Sequence, residues 1–136
     1  MVSVYDIRPC SLGEGPLWHP LRGELFWFDI NTHQLLSKTA TRQFDEYVSA
    51  AGWISHDELL IASESQLFRF HLNDHKQTKL CELEANNPIT RSNDGRCDPQ
   101  GGFWIGTMGK KAEAKAGAIY RYYRGDLVHL FPEITI

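Results

Sequence analysis

Asp98-Pro99-Gln100-Gly101-Gly102, followed at once by Phe103-Trp104-Ile105-Gly106, reads as a tight turn feeding a short strand. Proline presets φ at the second position of a turn and glycine accepts positive φ, so the first five residues predict a hairpin connection. The apolar run behind them is too short for a helix. The same pairing occurs twice earlier, as His19-Pro20-Leu21-Arg22-Gly23 ahead of Leu25-Phe26-Trp27-Phe28 and as Ser55-His56-Asp57-Glu58 ahead of Leu59-Leu60-Ile61-Ala62. Each run is followed by an amphipathic strand (34–37, 66–70, 118–122) and then by a weaker outer strand near 44–47, 78–83 and 127–131. From Leu25 to Leu59 to Phe103 the repeat is about 35 to 45 residues, the range of a four-stranded propeller blade. The expected class is all-β, with three four-stranded β-propeller blades. A β-sandwich also uses short alternating strands, but it does not require this repeated order of strong inner pair, amphipathic third strand and weak outer strand.

The bulk composition agrees with one globular region covering 1–136. The 136 residues are 42% hydrophobic and 23% charged, ordinary for such a domain. Fourteen basic against 17 acidic side chains give a net charge of −3. No basic stripe follows a phosphate backbone, so no nucleic-acid partner is expected. No apolar run approaches membrane-spanning length, and the N-terminus lacks the basic and apolar regions of a signal peptide, so no membrane partner and a cytoplasmic location are expected. Cys10, Cys81 and Cys97 are odd in number and far apart, which fits free thiols, with Cys97 expected to be buried.

Several segments carry further expectations. Trp18, Trp27, Trp53 and Trp104 recur with the blades and are expected in the core between sheets. Residues 2–7 are a candidate closing strand. Residues 110–116, rich in Lys, Ala and Glu, suit either a helical turn or a loop. His71 and His75 flank Asn73-Asp74 in a predicted hairpin turn and read as solvated. No His-Glu-x-x-His and no Gly-x-Ser-x-Gly is present.

Two stretches hold ligand-type side chains. In Gly13-Glu14-Gly15-Pro16 a carboxylate sits between glycines, either as an exposed turn or as an oxygen ligand for a hard divalent cation. Asn93-Asp94-Gly95 is a good turn sequence. Because a hairpin signal begins at Asp98, however, residues 91–97 read better as the inner strand of a blade, with Arg91 and Asn93 in phase on one face.

These stretches, together with Gly106-Thr107-Met108, resemble signature positions of the SMP-30/gluconolactonase/luciferin-regenerating-enzyme (regucalcin-like) family. That resemblance implies metal-dependent hydrolysis of a sugar lactone to the aldonic acid on a six-bladed propeller, of which this chain looks like the N-terminal half, ending after the third blade. It implies Glu14 as one metal ligand, Arg91 and Asn93 as substrate-binding residues, and Ca²⁺, Zn²⁺, Mn²⁺ or Mg²⁺ as the cofactor. The other two metal ligands and the general base have no counterpart among these residues. Where some members carry a substrate-binding Glu shortly after Gly-Thr-Met, this chain has Gly109, Lys110 and Lys111. The alternative function is a non-catalytic calcium-binding (regucalcin-like) or inactive module, and the open blade faces are expected to drive self-association.

Overall fold

A computed structural model describes residues 1–136, and the chain forms three four-stranded antiparallel sheets in succession. The first is β1 (Gly13–His19), β2 (Glu24–Asp29), β3 (Gln34–Ser37) and β4 (Ala40–Gln43). The second is β5 (Val48–Ser55), β6 (Glu58–Ser63), β7 (Gln66–His71) and β8 (Gln77–Glu82). The third is β9 (Thr90–Cys97), β10 (Phe103–Gly109), β11 (Gly117–Tyr123) and β12 (Asp126–Ile134). Within each sheet the strands lie in chain order, as the hairpin-forming turns require. Asp98 organises one of these turns: its carboxylate accepts from the N–H groups of Gln100 and Gly102 and from Trp104 Nε1 and Arg121 Nε. No helix is long and apolar enough to cross a membrane.

Alternation divides the apolar residues of the middle sheet between two cores. Leu59, Ile61, Phe68 and Phe70 meet Phe26, Phe28, Ile30 and Leu35 of the first sheet. Leu60, Ala62 and Leu67, on the opposite face, meet Phe103 and Ile105 of the third. Each fully buried side chain of this kind contributes about 1.5–3 kcal/mol through removal from water.

The sheets approach most closely along their inner strands. A Cβ at Gly15 would lie 2.2 Å from the Ser49 carbonyl oxygen, and Gly15 has φ of 60°. Glycine is the residue that tolerates both conditions. Ser49 Oγ in turn donates to Ser92 Oγ at 2.7 Å. Gly15, Ser49 and Ser92 all lie near the starts of β1, β5 and β9, so the three inner strands run side by side with their starting ends together.

Some expectations need correction. The outer strand of the first sheet is Ala40–Gln43, not 44–47; Phe44 leaves the sheet and plugs the core against Phe68 and Phe70. Residues 2–7 form no strand. Of the two alternatives for residues 110–116 the loop is the one observed, with Ala112 and Lys115 at positive φ. The tryptophans are not the core: Trp18, Trp53 and Trp104 are 58%, 41% and 37% exposed, and phenylalanines fill the interior. Cys97 is exposed rather than buried, although its thiol covers the space beside Gly52 and partial burial raises its pKa. All three cysteines are free.

The outer face of the first sheet is partly covered by the N-terminal segment. Tyr5 meets the Trp27 ring edge-on, Arg8 lies over the same ring, and Arg8 Nη1 reaches Thr41 Oγ1. Asp6 holds Arg8 through both carboxylate oxygens, which lowers the Asp6 pKa from 3.8 to about 2. A depressed carboxyl pKa gives stability that is present above the unfolded value and lost as pH falls through the folded one. Lowering pH from 3.8 toward about 2 is therefore expected to release this segment from Trp27. The indole resonance of Trp27 should shift in that window, and Asp6→Asn should abolish the step. A Trp27 signal with the same acid titration in Asp6→Asn would refute the assignment.

Candidate functional site

Strand register places the site residues at one rim. Gly13 pairs with Asp29, Val48 with Ser63 and Thr90 with Gly109. The starts of β1, β5 and β9 therefore share an end of the molecule with the β2–β3 turn, the β6–β7 turn and the β10–β11 loop. Glu14, Arg91 and Asn93 all belong to this rim. So do Tyr47, Glu64 and Lys110, which the sequence did not mark as ligand-binding.

Glu14 is held from behind. Asp29, buried, accepts the backbone N–H groups of Ser11 and Leu12 at 2.9 Å each, and Ile30 N–H donates to Leu12 O. Burial alone would raise the Asp29 pKa, but these donors outweigh it and the net shift is downward. The chain thus enters β1 on a fixed path, and a register shift between Glu14 and Leu17 follows. Glu14 itself is exposed. It borders a cleft of about 500 Å³ shared with Tyr5, Asp6, Arg8, Leu25 and Trp27.

Arg91 is the reverse case, a cation only 7% exposed with no carboxylate partner in an ion pair. Its Nη1 donates to Ser92 O at 2.8 Å and to Asn93 Oδ1 at 3.4 Å. Burial pushes its pKa down from the ordinary guanidinium value, against the attraction of Tyr47 and Glu14. The Glu14 carboxylate therefore lies within electrostatic reach of Arg91. Because Asn93 Oδ1 accepts from Arg91, the Asn93 amide is oriented with Nδ2 available as a donor. The expected phase of Arg91 and Asn93 on one face is what the strand delivers.

No three His, Cys, Asp or Glu side chains converge to hold a metal ion. Asp6, the carboxylate that shares a cleft with Glu14, is engaged by Arg8. One carboxylate does not make a divalent site, so these residues alone do not fit a bound cation.

At the other end of the inner strands, Leu17, Trp18, Ala51, Trp53, Gly95 and Cys97 border a second cleft of about 460 Å³. Neither cleft includes Arg91 or Asn93.

Residues 12–135 match the SMP-30/Gluconolactonase/LRE-like region. The chain belongs to this family. It is 39% identical to a calcium-binding protein, regucalcin, from Agrobacterium tumefaciens strain C58, whose crystal structure it matches with a TM-score of 0.92 over 95% of this chain and 46% of that one. It is 37% identical over 132 residues to a Rhizobium meliloti (strain 1021) protein assigned as a sugar lactone lactonase, covering 93% of this chain and 45% of that protein. A 6-deoxy-6-sulfogluconolactonase of Pseudomonas putida is 28% identical over 120 residues, covering 84% of this chain and 41% of that protein. The chain thus spans about half the length of the relatives it matches, and its three sheets are three blades of the propeller these proteins share.

Proposed function

We propose that the chain supplies part of a sugar-lactone hydrolase site, in which Arg91 and Asn93 bind the lactone and Glu14 contributes one carboxylate toward a divalent cation such as Ca²⁺, Zn²⁺, Mn²⁺ or Mg²⁺. The observation that carries this reading is a buried guanidinium without a carboxylate partner, linked to Asn93 at the same rim as Glu14. Leaving a buried cation without a counter-charge costs free energy, and an electron-rich ligand offsets that cost.

The side chains act as donors. Nε and Nη2 of Arg91 have no protein partner and are not sealed from solvent. They and Asn93 Nδ2 suit a lactone carbonyl whose oxygen gains negative charge as the ring ester is attacked. Donors held in place before that charge develops lower the barrier. The chain spans about half the length of the relatives it matches, and the remaining ligands of a cation and the general base are assigned to the rest of such a propeller. The exposed face of the third sheet, with Trp104, Val128 and Phe131, is where a further sheet from this protein or from a second copy would pack.

The test is hydrolysis of D-glucono-1,5-lactone, followed by proton release with each cation added in turn. In a protein that carries all the blades of such a propeller, Glu14→Ala is expected to weaken divalent binding while leaving the melting temperature within a degree or so, because an exposed carboxylate supports no core contact. Unchanged affinity by calorimetry would remove Glu14 from the site. The second reading, a calcium-binding module without turnover, is favoured by the likeness to regucalcin. Calcium binding in the absence of lactone hydrolysis with any of the four cations would select it.

A further inference from the structure

The cleft at the far end of the inner strands has a chemistry unlike that of the rim. All three sheets border its volume of about 460 Å³, with Leu17 and Trp18 from β1, Ala51 and Trp53 from β5, and Arg96 and Cys97 from β9. Five residues of β9 separate Arg96 from Arg91, roughly 16 Å of strand. The cleft is therefore a separate place from the one occupied by Glu14, Arg91 and Asn93. Its two indoles are unusually open, Trp18 leaving 58% and Trp53 41% of its surface to water. Large apolar side chains exposed together mark a binding surface rather than a packed one.

The walls of this cleft are fixed although they are exposed. The buried His19 ring lies 5.6 Å from the Trp53 ring, and His19 Nε2 donates to Ser55 O at 2.9 Å, which ties the end of β1 to the end of β5. Cys97 Sγ occupies the space that a side chain at Gly52 would need, so β9 closes against β5 at the same level. The one charged group on the border is Arg96, which is exposed and enters no ion pair. The carboxylates two residues away on either side are engaged elsewhere. Asp98 accepts from Arg121 and Trp104, and Asp94 Oδ1 accepts the Gly95 N–H.

This lining selects a ligand class. A polyhydroxylated sugar needs many directional partners, and no side-chain hydroxyl, amide or carboxylate borders the cleft. An uncharged apolar molecule would cover the indoles but leave Arg96 without a counter-charge. An aromatic ring gains from offset or edge-on packing against indole beyond the area it buries, and a carboxylate matches the planar fork of a guanidinium. The volume is in the range of small-molecule sites. We propose that this cleft is a second ligand site, for a small aromatic monocarboxylate whose ring lies against Trp18 and Trp53 and whose carboxylate pairs with Arg96. The site is independent of the lactone-site reading, since it shares no residue with it.

The experiment titrates the chain with three probes and follows its four indole N–H resonances by NMR. The probes are 2-naphthoate, 2-naphthol, which keeps the rings without the carboxylate, and cyclohexanecarboxylate, which keeps the carboxylate without the aromatic ring. Naphthoate is expected to bind about tenfold more tightly than either of the others, moving the Trp18 and Trp53 signals and leaving those of Trp27 and Trp104 in place. Arg96→Gln should weaken naphthoate about tenfold and leave naphthol within about twofold. An exposed, unpaired arginine supports no core contact, so this variant keeps the fold. Equal affinity for naphthoate and naphthol, or equal weakening of both in Arg96→Gln, overturns the proposal. So does a naphthoate titration that moves Trp27, because the ligand then takes the cleft beside Glu14. Trp18 and Trp53 signals that shift on dilution without any probe would show a second copy of the chain covering the cleft, and would overturn it as well.

Discussion

Gly15→Ala is expected to destabilise the protein by about 3 kcal/mol, from about 1 kcal/mol for a non-glycine residue at positive φ and about 2 kcal/mol for overpacking. The new methyl carbon would lie 2.2 Å from the Ser49 carbonyl oxygen and 3.0 Å from the Phe28 ring. Neither neighbour can move cheaply. Ser49 sits in the middle sheet with its hydroxyl bonded to Ser92, and Phe28 is fully buried. Relief must come from β1 moving off β5, which also displaces Glu14. A lower urea midpoint at unchanged denaturant slope would report the loss. Gly101→Ala is the matched comparison: its φ is 86° but its added Cβ meets nothing within 4 Å. Equal midpoints for the two variants would mean that the close approach of the inner strands does not constrain the fold.

Removing the substrate donors is expected to have the largest effect on chemistry. In a protein that carries all the blades, Arg91→Ala should lower kcat/KM for lactone hydrolysis by at least about tenfold, toward the hundredfold or greater loss seen when an oxyanion donor is removed. Arg91→Lys should not restore it, because a point charge lacks the planar fork that contacts Asn93 and the ligand together. Asn93→Asp keeps an acceptor for Arg91 but loses the Nδ2 donor, so it should also fall by about tenfold. Divalent affinity should survive in all three variants, since the carboxylate assigned to the cation is untouched. Parent-level turnover in Arg91→Ala and Asn93→Asp, with both proteins folded, would place the substrate elsewhere.

The blades were legible because their connections have strong local chemistry. Gly23 and Gly101 take the positive φ that their turns require, and short apolar runs follow them as strands β2 and β10. The first outer strand was misplaced for an equally local reason. Ala40–Gln43 has no apolar alternation, and its buried residue is Arg42, over the Phe26 ring. Phe44 looked like a strand residue but is a core plug beyond the strand's end. The tryptophans misled because large aromatic residues usually mean core, whereas Trp18 and Trp53 lie at the far end of the inner strands and Trp104 lies on the open face.

Arg91 and Asn93 could be found together because a strand puts alternate residues in phase. Their neighbours at the rim could not. Glu64 and Tyr47 carry no motif, and they reach Lys110 only through packing of the second sheet against the third. A site assembled from the turns of separate sheets leaves no spacing to read. The replacement of an expected carboxylate by Lys110 was visible, but its pairing with Glu64 was not.

The middle sheet has a consequence for the site that burial alone does not suggest. The first and third sheets share no core: one set of side chains joins sheets one and two, another joins sheets two and three, and β1 reaches β9 only along the inner strands. In such a nearest-neighbour arrangement the two flanks are coupled mainly through the sheet between them. Glu14 and Arg91, however, stand on opposite flanks. Aligning them on one ligand is then like aligning two mirrors on a common mount: each can be sound while the beam misses. Core residues of the middle sheet such as Ile61, Ala62, Leu67 and Phe68 set the angle between them.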